Sequence, residues 1–287
     1  MISEEIIPTF EPGAQLAPGL LVVGHRHRGP DTDLYDAWDE DRLVSCVAKI
    51  VRPDRRGLDR VIARSRAEGA LLGELAHPNI VRCFGTHEVG ADGQQLDHRP
   101  VVALEAIAGP SLHVLLHQTD ARVAWPDLVT WTVQLCAALA YLHRRDVAHL
   151  DVKPANVVIG PAGAVLIDFH LAQKFGPVIA GRGTRRYLSP EQAEGGEATG
   201  ASDIWGLGVT LFEAATGRAA FVNNAEDPAE STASAARGSY PQLDARAPAV
   251  RSLRALPAWL AEAIDACLHP DPARRPTAEQ IMAHLQK

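Results

Sequence analysis

The sequence predicts an α+β chain in two parts: antiparallel strands with one long helix, followed by a larger, mainly helical part. Three observations carry this expectation. Up to about residue 106, short runs rich in Val, Ile and Leu are separated by Gly, Pro and Asp, as hairpins require. After "GPS" at 109–111 the apolar residues recur at helical spacing instead. A chain of 287 residues suits two small domains or one domain of two lobes, and buries a core without disulfides or a structural metal.

Taken in order, residues 1–18 carry three prolines and no period, and read as an extended N-terminal arm. Strands are expected at "LLVVGH" (20–25), "LYDAW" (34–38) and "LVSCVAKIV" (43–51). "RPDRRGLDR" is a turn into a helix from Leu58 to Leu75 that stops before "HPN". Two further strands, 80–89 and 100–106, flank a loop. Helices are expected at 111–118 and at 126–144, the latter with Leu128, Trp131, Leu135, Ala138, Leu139 and Leu142 on one face. "NVVI" (156–159) and "AVLIDF" (164–169) form a hairpin around "GPAG", and helices follow at 202–217, 257–268 and 277–286. Residues 222–256, rich in Ala, Ser, Pro and Asp, read as a surface excursion with room for one helix. The division expected is an arm (1–18), a strand-rich part (19–107) and a helical part (108–287).

Composition excludes several functions. A 46% apolar and 22% charged chain is ordinary for a soluble globular protein. The formal net charge of -7 argues against nucleic acid or an anionic membrane as the main partner. Cys46, Cys83, Cys136 and Cys267 are far apart and read as reduced, mostly buried thiols. The acidic N-terminus has no apolar signal region, and no run of about 18 apolar residues occurs, so a cytoplasmic location is expected. Arg and Ala richness points to a GC-rich bacterial genome. His113 and His117 are four apart on an expected helix but lack an evident third ligand, and read as surface histidines.

The chemistry concentrates in "HLDVKPANVVIG", His149 to Gly160. Of 28 basic residues only Lys49, Lys153, Lys174 and Lys287 are lysine, and one lies between Asp151 and Asn156. Asn156 and Asp168 offer hard oxygen ligands suited to Mg²⁺. Asp151 can orient a hydroxyl nucleophile. A compact ammonium at Lys153 suits a single phosphate oxygen, where a forked guanidinium would not.

This pattern, H-x-D-x-K-x-x-N followed by Asp-Phe, resembles the catalytic and metal-binding loops of eukaryotic-type (Hanks-type) protein kinases, including the bacterial serine/threonine members. The resemblance extends in order along residues 19–286. "VAKI" places Lys49, with Ala48 beside it, where the family holds the α- and β-phosphates. Glu68 matches the helix glutamate that pairs with that lysine. "LEAI" resembles the hinge, with Leu104 as gatekeeper and Glu105 and Ile107 beside adenine. "GTRRYLSPEQ" (183–192) resembles the end of the activation segment, "SDIWGLGVTLFE" the central helix with Asp203 as loop anchor, and "DPARRPTAEQI" the last helix, where Arg275 would pair with Glu191. The resemblance implies a bilobal fold with nucleotide between the lobes. It further implies ATP with Mg²⁺ or Mn²⁺ as cofactors, Asp151 and Lys153 as catalytic residues, Asn156 and Asp168 as metal ligands, and a protein substrate with a Ser/Thr acceptor. Lys153 favours serine/threonine over tyrosine.

Singly, these residues have plainer readings: Lys49 as a solvated strand lysine, Glu68 as a helix-surface residue, 151–156 as an Asx turn. Their joint order favours the kinase. A pseudokinase acting as a nucleotide-binding or scaffold module, and a small-molecule phosphotransferase, are the alternatives. Three departures matter. In the glycine-rich loop, aligned on Leu34, only Gly29 remains, and Pro30 removes a backbone donor, so nucleotide binding is expected to be weaker or differently shaped; His25, Arg26, His27 and Arg28 are candidate phosphate contacts. His170 replaces the glycine after Asp-Phe, with a β-carbon where positive φ is expected. Leu150 replaces the arginine that receives an activation-segment phosphate, so activity is expected not to depend on phosphorylation there.

Overall fold

Strand runs punctuated by turn residues build an antiparallel sheet from the first part of the chain. The computed structural model describes residues 9–55, 57–90, 98–118, 122–221 and 240–285. Its strands are β1 (Gln15–Ala17), β2 (Leu20–Arg28), β3 (Thr32–Asp39), β4 (Val44–Val51), β5 (Cys83–Glu88) and β6 (Pro100–Glu105), with α1 (Leu58–Gly73) between β4 and β5. Among the described residues the sheet order is β1-β2-β3-β4-β6-β5, every pair antiparallel. The stretch read as an arm thus contributes an edge strand at its end. Leu16 and Ala17 are fully buried, and their burial outweighs the flanking prolines, which lie outside β1 where no ladder bond is needed.

One sheet face is covered by Leu20, Val22, Tyr35, Ala37, Ala48 and Ile50, with β1 packed against them. Side chains alternate along a strand. Val47 and Lys49 therefore occupy the opposite face, where Leu34 and Val102 lie directly across from Lys49, and Leu104 across from Val47. Helix α1 buries Val61, Ser65, Glu68, Gly69 and Leu72, a stripe at helical spacing. A Cβ on Gly69 would collide with the Thr86 hydroxyl, so the missing side chain lets α1 lie close against β5.

The rest of the chain is mainly helical. In order it forms α2 (Leu112–Gln118), α3 (Trp125–His143), β7 (Val147–Ala148), the hairpin β8 (Val157–Gly160) and β9 (Gly163–Leu166), β10 (Gln173–Lys174) and β11 (Gly176–Pro177). Then come α4 (Pro190–Glu194), β12 (Glu197–Ala198), α5 (Gly200–Thr216), α6 (Pro241–Asp244), α7 (Ala258–Cys267) and α8 (Ala278–Leu285). The two-residue strands pair β7 with β10 and β11 with β12. Helix α5 is buried on nearly every face, as its all-round apolar sequence requires.

Contacts cluster the chain into two units, one up to Ala76 plus Val81–Ile107, the other His77–Ile80 and Ala108 onward. The short segment joins the second because Leu166 N–H donates to Asn79 O (2.9 Å) and Asn79 Nδ2 donates to Ala164 O (2.8 Å). Most of the 90–99 loop and the first part of the 222–256 excursion lie outside the described residues; within the excursion α6 and a 3-10 turn at Val250–Ser252 are seen. The four cysteines are free thiols, three of them buried. No helix among the described residues is long and apolar enough to cross a membrane.

The second unit is closed by Arg275. Its guanidinium side chain is fully buried and uses all five N–H groups: Nη1 and Nη2 grip Glu191 (2.7 and 2.9 Å), and the rest reach the carbonyls of His269, Pro270 and Ala201. Burial pushes the Glu191 carboxyl up, but the Arg275 bonds and charge and the Ser202 hydroxyl outweigh it and hold the group below its ordinary value. Replacing Glu191 by Gln or Arg275 by Met should lower unfolding free energy by about 3–5 kcal/mol, read by urea denaturation. Because the folded value is lowered, the contribution of Glu191 is fully present above the unfolded carboxylate value of about 4.3 and is lost as pH falls through the folded one. The wild type should therefore lose stability more steeply than Glu191→Gln on acidification in that window.

Candidate active site

In the first unit, the face of β4 away from the sheet core presents Lys49, and its Nζ lies 2.8 Å from Glu68 Oε1 on α1. Both side chains are almost fully buried. The close α1–β5 approach at Gly69, next in sequence to Glu68, sets that reach. Leu34 and Leu104 share the face with Lys49. Ala48 does not. Strand alternation turns it into the opposite, core face beside Tyr35, where it has no exposed surface, so, against the sequence expectation, Ala48 does not share the Lys49 face, and Val47 does. Glu105 follows Leu104, and its N–H donates to Arg82 O (2.9 Å); Ile107 is half-buried just beyond β6.

Gly29 opens the β2–β3 turn, its N–H donating to Thr32 O at 2.8 Å. Three of the four basic residues proposed as phosphate contacts, His25, Arg26 and Arg28, already have carboxylate partners across the hairpin. Arg28 forks onto Asp33 (2.8 and 3.0 Å), His25 also reaches Asp33, and Arg26 reaches Asp36 at 2.6 Å. Arg52 Nη1 holds Gly29 O (3.1 Å), and Asp31 at the tip faces Arg55 and Arg64. The sequence signal for this was the alternation of Arg and His on β2 against Asp33 and Asp36 on β3.

In the second unit, the catalytic-type loop hangs from α5. The Asp203 carboxylate accepts from His149 N–H (2.9 Å), Leu150 N–H (2.7 Å) and His143 Nε2 (2.8 Å). α5 approaches closely at Gly206, where a Cβ would sit 2.8 Å from the Val152 carbonyl. His149 is fully buried, and burial pushes its imidazole pKa down despite the nearby carboxylates. The neutral ring donates from Nε2 to Ile167 O and accepts at Nδ1 from Asp151 N–H. Leu150 has φ 65°, an uncommon backbone for a bulky residue. Bonds to its N–H from Asp203 and to its carbonyl from Gln192 Nε2 (2.9 Å) hold it there.

Asp151, 4% exposed, is the hub. Lys153 Nζ lies 2.8 Å from its Oδ2, Asn156 Nδ2 donates to that oxygen (2.8 Å) and to the Asp151 carbonyl, and the Thr184 hydroxyl donates to Oδ1 (2.9 Å). Lys153 also donates to Thr184 at 2.6 Å. Asn156 uses its amide nitrogen on Asp151, so Oδ1 is the atom it could offer a metal. The β8–β9 register, together with the Ile167 N–H to Asn156 O bond, brings Asp168 back to this end of the hairpin. Asp151, Asp168 and His170 have ligand atoms within 4.8 Å of one another, and this is the metal-type cluster found among the described residues. Carboxylate and amide oxygens are the donor chemistry that Mg²⁺ takes. The residue with positive φ in this turn is Asp168 (φ 63°), not His170.

Around Leu150 the activation-type segment packs as an apolar cluster of Ala148, Leu171 and Ala198 with Phe175 and Val178. Each hydroxyl between Asp168 and Glu191 has a structural partner. Thr184 bonds Asp151, Tyr187 donates to Glu213 Oε2 (2.6 Å), and the fully buried Ser189 caps α4 in a capping box with Gln192.

The chain matches the family described as "Protein kinase domain" over residues 28–285. A probable serine/threonine-protein kinase PknB of Lactococcus lactis is 32% identical over 218 residues, 73% of this chain and 33% of that protein. The serine/threonine-protein kinase PknB of Mycobacterium leprae is 32% identical over 183 residues, 61% of this chain and 29% of that protein. The chain thus spans about a third of the length of these curated relatives. The crystal structure of the Mycobacterium tuberculosis PknI kinase domain matches with a TM-score of 0.72 at 20% identity, covering 97% of this chain and 99% of that one, a likeness of fold.

Asp203→Ala leaves two buried backbone N–H groups and His143 without their acceptor. At about 1–3 kcal/mol per orphaned donor, the variant should lose at least about 3 kcal/mol of stability, with Asp203→Asn intermediate, measured by chemical denaturation.

Proposed function

The chain belongs to the protein kinase domain family, and from that premise we propose that it transfers the γ-phosphate of ATP to serine or threonine hydroxyls of a protein substrate. The observation that carries the reading is the Asp151 network: a buried carboxylate held by Asn156 and Thr184, with the Lys153 ammonium 2.8 Å away. Held this way, Asp151 orients an acceptor hydroxyl and takes its proton as the oxygen attacks. Lys153, anchored on Thr184, stands ready to neutralise charge on the moving phosphoryl group. Lys49, fixed by Glu68, is assigned to the α- and β-phosphates, and the apolar face of Leu34, Val47 and Leu104 to the adenine, with Glu105 and Ile107 offering backbone groups. Gly29 belongs to the turn that covers the phosphates.

Asn156 and Asp168 are the residues that would hold the metal, which when bound screens phosphate charge. Much of the catalysis is positioning and electrostatic stabilisation. A serine/threonine acceptor is supported by Lys153 and by the kinase relatives. Cytoplasmic action on protein is part of the reading, and the formal net charge of -7 supports the absence of a nucleic-acid or anionic-membrane partner.

The test is phosphate incorporation from labelled ATP with Mg²⁺ or Mn²⁺, into the chain itself and into a generic protein acceptor. Asp151→Asn should lower transfer by about 100-fold or more, and Lys49→Met should abolish it, with thermal melts confirming folded variants. Transfer unaffected by Asp151→Asn, or none from the wild type while nucleotide still binds, would sink the reading.

Since every activation-segment hydroxyl has a structural partner and Leu150 offers no cation to a phosphate, phosphatase treatment should leave the rate unchanged. Complete loss, with the removed phosphate mapped to 169–190, would contradict this.

A further inference from the structure

His170 follows Asp168 by two residues, and its Nδ1 lies 3.0 Å from Asp168 Oδ1. Between them Phe169 is buried and packs edge-on against His149, with ring centroids 4.6 Å apart. With Phe169 locked inward, residues 168 and 170 come out on a common side. Their side chains are 31% and 34% exposed, so an ion and its waters can reach both. We propose that His170 is a nitrogen ligand of the metal ion held at Asp168, and that it biases this chain toward Mn²⁺ and later transition metals over Mg²⁺. The metal itself rests on the kinase reading; the imidazole ligand goes beyond it.

The distances allow this. Two neighbouring corners of an octahedron with bonds of about 2.1 Å are about 3.0 Å apart, the separation found between Nδ1 and Oδ1. Asp151 is the other nearby carboxylate, but its oxygens already accept from Lys153, Asn156 and Thr184. The imidazole is therefore the better-placed additional donor beside Asp168. Its chemistry sets the bias. Mg²⁺ prefers oxygen and sheds water reluctantly, whereas imidazole strengthens binding along the series that starts at Mn²⁺. The competing explanation, a plain Nδ1–H to carboxylate hydrogen bond, has the same geometry but leaves the nitrogen out of any metal's coordination shell.

Electron spin-echo spectroscopy separates the two. Mn²⁺ and ADP are added to the wild-type chain, to the chain grown with ¹⁵N-histidine, and to His170→Gly. The expected result is a ¹⁴N coupling on Mn²⁺ that turns into the ¹⁵N pattern on labelling and disappears in His170→Gly. The Mn²⁺-over-Mg²⁺ binding ratio should fall by about tenfold or more in the variant, the loss typical even for an outer-shell partner. Bound Mn²⁺ with no histidine nitrogen coupling, or a coupling that survives His170→Gly, overturns the assignment of His170 alone. Failure to bind Mn²⁺ and ADP at all overturns it together with the kinase reading. Should His170→Gly not fold, His170→Ala takes its place in the same comparison.

Discussion

A carboxylate without solvent contact is the constraint on which the chemistry of the second unit depends. Burying Asp203 unpaired would be prohibitive, so its oxygens must be filled, and the backbone of His149 and Leu150 with the His143 ring fills them. The loop is thereby tied to α5, the most thoroughly buried helix of the unit. Everything downstream inherits that placement: His149 fixes the Asp151 N–H, Asn156 and Thr184 fix the Asp151 carboxylate, and the β8–β9 hairpin returns Asp168 to the same end. The Asp151 carboxylate is thus positioned through a second carboxylate on a different element.

What could be read from the sequence, and what could not, follows from the length scale of each signal. β3, β4, α1 and α5 carry several repeats of their period, and the strands and helices appear close to where the period puts them. β7, β10, β11 and β12 are two residues each and carry no period at all. β1 was hidden by prolines that in fact lie outside it. Ala48 was expected on the Lys49 face, whereas the two-residue alternation of β4 puts it on the core face and Val47 beside Lys49. The Asp151 hub needed Thr184, more than thirty positions along the chain, and only tertiary structure supplies that contact. His170 stood out in the sequence as a departure, yet its contact with Asp168 had no sequence signal beyond the i, i+2 spacing.

The choice between arginine and lysine also resolves. Arginines on the first unit act as forks across short distances: Arg28 on Asp33, Arg42 on Asp39 and the Phe84 carbonyl, Arg52 on Asp54 and the Gly29 carbonyl. Such two-pronged pairing suits a planar guanidinium. Lys49 and Lys153 each direct a compact ammonium at a carboxylate oxygen, in buried or nearly buried positions. The β2–β3 tip, poor in glycine, is held by these forks, so its shape is set by side-chain pairs where a glycine-rich loop would rely on backbone freedom.

The apolar packing around Leu150 has a thermal and ionic consequence. A segment held by an arginine and a phosphate weakens as salt screens the pair. Packing of Leu150, Leu171, Phe175 and Val178 is not screened by salt, tightens in salts excluded from the protein surface, and loosens on cooling as the hydrophobic driving force fades. That apolar part of the segment therefore answers to temperature more than to ionic strength.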